Sequence, residues 1–91
     1  MTIRRLLRSD GYERGLAVRL SIAAIREMIN ADYLDTVRLK DRVHVMLIDD
    51  SGIAKGLPIN AKATALYLEV RPGTPHHIVG DVVIVPDADF A

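Results

Sequence analysis

The stretch that most constrains this chain is Val43–Ile48, V-H-V-M-L-I, the most apolar run it contains. It is of strand length and is closed by polar turns on both sides, Lys40-Asp41-Arg42 before it and Asp49-Asp50-Ser51-Gly52 after it. A short apolar run bounded by turn residues reads as a central strand, not as a helix. A second run of the same kind, His77–Val85, stands near the end of the chain and stops at Pro86. Neither run approaches the ~20 apolar residues needed to span a bilayer.

Around these two runs the chain alternates between strand and helix signals. Thr2–Leu7 and Gly15–Leu20 read as strands, joined through Ser9-Asp10-Gly11 as a hairpin. Leu16, Val18 and Leu20 alternate with Ala17 and Arg19 in the period of a half-buried strand. Ser21 is a good N-cap for a helix whose inner face carries Ile22, Ile25 and Ile29, and Asn30 suits a left-handed end. Tyr33–Leu39 returns to strand, with Leu34, Thr36 and Arg38 on one side and Asp35, Val37 and Leu39 on the other. Gly52 suits a positive φ in the turn that follows Ile48. In Gly56-Leu57-Pro58-Ile59-Asn60, the proline sets the backbone and Asn60 caps a second helix, with Ala63, Leu66, Tyr67 and Val70 inward. The expected fold is α+β: one antiparallel or mixed sheet of roughly four to six strands with two helices on one face. Residues 1–86 form a single domain, and 87–91 form a short acidic tail.

With 91 residues the core is thin, and small domains of this kind often gain stability from a partner subunit. Formal net charge is zero, a poor basis for non-specific binding to polyanions. The charge is unevenly spread: residues 1–26 hold six Arg against Asp10 and Glu13. There is no cysteine, hence no disulfide and no thiolate site, and Met1–Arg8 lacks the apolar core of a signal peptide. A cytoplasmic protein with no membrane association is expected.

The segment I48-D-D-S-G-I-A-K-G-L-P-I-N-A-K-A-T-A-L-Y67, the closing I78-V-G-D-V-V-I-V85, and the helix and strand over 22–39 together resemble a family of small domains of unknown function from bacteriophages, plasmids and their hosts. That family typically carries an acidic-acidic-x-Gly turn, a Gly-Leu-Pro-x-Asn loop, Ala-Thr in the next helix and a V/I-x-G-D strand near its end. The resemblance covers roughly residues 16–86. It departs at Asn30-Ala31, where relatives often have glycine. It implies a mobile-element origin and an α+β fold, and it brings no catalytic residues, since the family has no agreed activity.

The polar residues each have a structural and a functional reading. Asp49, Asp50 and Ser51 offer too few oxygens for a calcium site, so no metal is expected. His76 and His77 would point to opposite sides of a strand, and His44 marks a solvent-facing position. Ser9, Ser21 and Ser51 have turn or cap explanations, and no nucleophile elbow is present. No cofactor is expected and the chain reads as non-enzymatic. Gly80-Asp81 breaks its strand, as a bulge or a close backbone approach would, with Asp81 capping a neighbouring element or lining a site.

Two segments are candidate sites. Gly56 and Asn60 at the start of the second helix, with Lys55, Lys62 and Thr64, could hold a phosphorylated small molecule. Alternatively Asn60 only caps, and Thr64 bonds back within its helix. Arg4, Arg5 and Arg8 form a protein-docking strand, a phosphate-contacting arm, or a solvated edge. The first expectation for function is a small effector of a phage or related element that binds a host bacterial protein, with counter-defence as one setting. The second is a homo-oligomer that sequesters a phosphorylated ligand. The third is nucleic-acid binding through the Arg-rich third, the weakest reading because the chain is neutral.

Overall fold

A computed structural model of the chain describes residues 4–90. Five strands form one antiparallel sheet: β1 (Arg4–Leu7), β2 (Glu13–Leu16), β3 (Leu34–Arg38), β4 (His44–Asp49) and β5 (Val82–Pro86), in the order β2-β1-β5-β4-β3. Two helices complete an α+β fold, α1 (Ile22–Met28) and α2 (Ala61–Val70). The most apolar strands, β4 and β5, are inside the sheet as their composition demands, and β2 and β3 are its edges.

The helices lie on opposite faces of this sheet, which corrects the expectation of two helices on one face. On one face Leu6, Val45, Leu47, Val83 and Val85 pack with Ile25 and Ile29 of α1. On the other, Leu7, Met46, Val82 and Ile84 pack with Ala63, Leu66 and Tyr67 of α2. The cause is written in β4 and β5. Both are apolar at consecutive positions, so both of their faces need cover, and one helix can shield only one face.

Two strand boundaries also differ from the sequence reading. The second strand runs over Glu13–Leu16, not 15–20. A tight turn, with Arg8 N donating to Tyr12 O at 2.8 Å, starts the return strand at once and sets Leu7 opposite Glu13. Val18 is left exposed in the loop to α1, while Leu16 and Leu20 still reach the core. The last strand begins at Val82, because Gly80 has φ +78° and bends the chain out of the sheet. Its Cα approaches Leu57 so closely that a Cβ would lie 2.7 Å from Leu57 Cδ1. Gly52 is required for space and not for a positive φ, since a Cβ there would lie 2.9 Å from Val79 Cγ2.

Both N-caps form as expected. Ser21 Oγ accepts from Ala24 N at 3.1 Å, and Asn60 Oδ1 accepts from Ala63 N at 3.0 Å. Asn30, with φ 55°, ends α1 in the left-handed region. The acidic segment after β5 folds as a 3-10 turn over Asp87–Phe90, within which Asp89 is buried.

Candidate functional site

The residues expected to hold a phosphorylated ligand are placed by the loop between β4 and α2, and most of their polar groups are spent inside the fold. Lys55 Nζ donates to Asp49 Oδ2 at 2.7 Å and to Asn30 O at 3.1 Å. Burial pushes the Asp49 carboxyl up, but the bonds from Lys55 and from Ser51 N together outweigh it and hold the group below its ordinary value. Asn60 is buried, and its amide nitrogen donates to Leu7 O and to Gly80 O, both at 3.0 Å. Thr64 does not bond back within its helix. Its Oγ1 accepts from Ile78 N at 3.0 Å and donates to Ile78 O at 3.3 Å. Gly56 is exposed at φ +70°, with open space around it.

Lys55 and Lys62 do not meet. Lys55 borders an open depression of about 300 Å³ with Arg8, Asn30, Pro58 and Asp81. Lys62 lies in another, on the α2 face, with Arg5, Glu13 and Glu69. Lys62 Nζ donates to Gly11 O at 3.0 Å and lies 3.6 Å from Glu13. Asp81 behaves as a structural group: it accepts from Ser9 N at 2.9 Å and ties the turn after β1 to the start of β5.

The three N-terminal arginines do not form a free basic stripe. Arg4 makes a two-pronged pair with Asp89, at 2.8 Å for each bond, and Arg19 donates to the backbone carbonyl of the same residue. The Arg4 guanidinium holds the Asp89 carboxyl below its ordinary value, against the opposing effect of burial. Arg5 lies 3.5 Å from Glu13, and Arg8 lies 3.4 Å from Asp10 and sits over the Tyr12 ring. Each of these three cations has a nearby carboxylate.

The remaining titratable groups show no catalytic constellation among the described residues. His44 Nδ1 bonds Asp41 Oδ2 at 2.6 Å, while its Nε2 is buried without a partner. The backbone N–H of His44, the N–H of Val43 and then the imidazole itself lower the Asp41 carboxyl to about 2. No serine hydroxyl among the described residues bonds a histidine, and no group of three His, Asp or Glu stands close enough to hold a metal ion. No helix of the described residues is long and apolar enough to cross a membrane.

What is left open is the strip of sheet beside α2. That helix covers the inner strands and leaves a hollow of about 330 Å³ along edge strand β3, bordered by Asp35, Val37, Arg38, Tyr67, Val70 and Arg71. Asp35 also borders a second hollow, of about 150 Å³, with Ile48, Ile53 and His77. Tyr33, 72% exposed, and Ile53, 74% exposed, stand at this end of the sheet. This surface mixes apolar and charged groups. The sequence places Tyr67 and Val70 on the inner side of the second helix and Asp35 and Val37 on one side of their strand, and the structure brings the four together. No protein-family model, curated protein or solved structure matches the chain.

Proposed function

We propose that the protein is a small non-enzymatic effector of a phage or related mobile element that binds and modulates a host bacterial protein, with counter-defence as its setting. The origin rests on the resemblance carried by the Asp49-Asp50-Ser51-Gly52 turn, the Gly56–Asn60 loop and the Ile78–Asp81 segment. The mode of action rests on one observation, the hollow between β3 and α2 with Val37, Tyr67 and Val70 as its apolar wall and Asp35, Arg38 and Arg71 as its charged rim. Apolar side chains set among charged ones supply both contact area and orientation for a specific partner.

The test is capture from bacterial lysate by the wild type and by Arg71→Glu, a change at an exposed position that leaves the core untouched. One protein recovered by the wild type and lost with the variant supports the reading. No protein above background, or equal recovery by both, counts against it.

Sequestration of a phosphorylated ligand is placed second, because Asn60 and Thr64 are committed to backbone partners and Lys55 to Asp49. Binding of nucleic acid is placed third, because Arg4 and Arg5 face Asp89 and Glu13.

A further inference from the structure

Edge strand β3 carries the pattern of a strand that pairs with itself. At one end Asp50 N donates to Tyr33 O at 3.1 Å, and at the other Leu39 N donates to His44 O at 3.0 Å. Hydrogen-bonded pairs alternate along an antiparallel ladder, so Tyr33, Asp35, Val37 and Leu39 bond to β4. Leu34, Thr36 and Arg38 therefore turn their backbone N–H and C=O groups away from the sheet. Thr36 N accordingly points away from β4 and donates to the side chain of its own neighbour, Asp35, at 2.9 Å, a bond that pairing would exchange for one across the new ladder.

We propose that two copies of the chain pair through β3, antiparallel, about a two-fold axis at Thr36. In that register Leu34 lies opposite the partner subunit's Arg38, and Thr36 opposite the partner subunit's Thr36. Each of the three outward-facing residues then meets another outward-facing residue, which gives roughly six new backbone bonds. The flanking charges choose this register. Asp32 stands before the strand and Lys40 after it, both exposed and neither ion-paired among the described residues. The antiparallel arrangement brings each Asp32 to the partner subunit's Lys40. An axis at Asp35 would set two carboxylates face to face, and an axis at Val37 would pair Leu34 with the partner subunit's Lys40, beyond the end of the strand at Arg38, whereas Thr36 is the midpoint of the strand.

The dimer completes the recognition surface. Residues opposite each other across a ladder point to the same face, so both α2 helices lie on one side of a ten-stranded sheet, twice the five strands of each copy. The two hollows beside β3 then join across the axis. The result is one trough floored by Asp35 and Val37 of both copies and walled by two α2 helices. The pairing is isologous, so it closes at two subunits. It stands independently of what the trough binds.

The test is native mass by sedimentation equilibrium across a wide concentration range. The wild type is expected at twice its 10.1 kDa chain mass. Thr36→Pro removes an N–H that the ladder to β4 does not use, and proline is tolerated at such edge positions, so this variant is expected at the mass of one chain. A second set of variants does not touch the backbone. Lys40→Asp should weaken the dimer roughly tenfold, and adding Asp32→Lys should restore it. A wild type of single-chain mass at every concentration would overturn the proposal. So would a dimer that resists both Thr36→Pro and Lys40→Asp. If the proline variant fails to fold, loss and rescue in the charge pair decide alone.

Discussion

The side-chain amide of Asn60 donates to the carbonyl of Leu7 at 3.0 Å, joining the first residue before α2 to the last residue of β1. The same nitrogen reaches Gly80 O, and the amide oxygen caps Ala63 N, so a single buried side chain ties together β1, α2 and the approach to β5. Replacing it by alanine removes a helix cap and strands two carbonyls that water cannot reach. Asn60→Ala should cost about 2–4 kcal/mol in a urea melt. Asn60→Asp should cost at least as much at neutral pH, since it turns a carboxylate toward two carbonyls, and should recover part of the loss as the pH is lowered.

A close approach sets the second prediction. Gly80 and Gly56 both have positive φ, +78° and +70°, but only Gly80 faces a neighbour, Leu57. Alanine at Gly56 pays for the left-handed conformation alone, about 1 kcal/mol. Alanine at Gly80 must also displace Leu57, and should cost about 2–4 kcal/mol. Parallel denaturation curves check the order; a Gly56→Ala variant less stable than Gly80→Ala would refute the assignment.

Acid should unfold the protein in a defined direction. The carboxyls of Asp89, Asp49 and Asp41 all lie below their ordinary value in the folded chain, Asp41 at about 2. An unfolded aspartate has a pKa of about 3.9, so the unfolded chain takes up protons first as pH falls. The stabilisation from these groups is complete above that value and is lost as pH drops through the folded ones. Urea melts at a series of pH values should show stability level above about pH 5 and falling from about pH 4 downward. Asp89→Ala breaks the two-pronged pair with Arg4 and should lower the stability at pH 7. That variant should also show a shallower acid decline.

Local features of the fold could be read from the sequence, and features that join distant segments could not. The caps at Ser21 and Asn60 and the left-handed turn at Asn30 depend on neighbours a few residues away, and they form as the residue types dictate. That Asn60 also bonds Leu7 could not be seen, because its partner lies 53 residues away. Thr64 misled for the same reason: Ile78 reaches its hydroxyl only after the chain has turned back past Gly80. The consecutive apolar residues of β4 and β5 held the signal for helices on both faces, but the reading followed strand length and not two-sided burial. Lys55 reads in the sequence as a ligand contact beside Gly56, because nothing local shows that it pairs with Asp49 across the turn. The hollow beside β3 depends on how far α2 reaches across the sheet, which packing decides and no motif records.

The proposed recognition of a host protein belongs to the hollow between β3 and α2. A photo-activated cross-linking residue at position 71, irradiated in bacterial lysate, tests it most directly, with the same residue at Arg14 on the opposite edge as control. An adduct to one bacterial protein is expected from position 71 and none from position 14. An adduct formed only at position 14, or at neither, would contradict it.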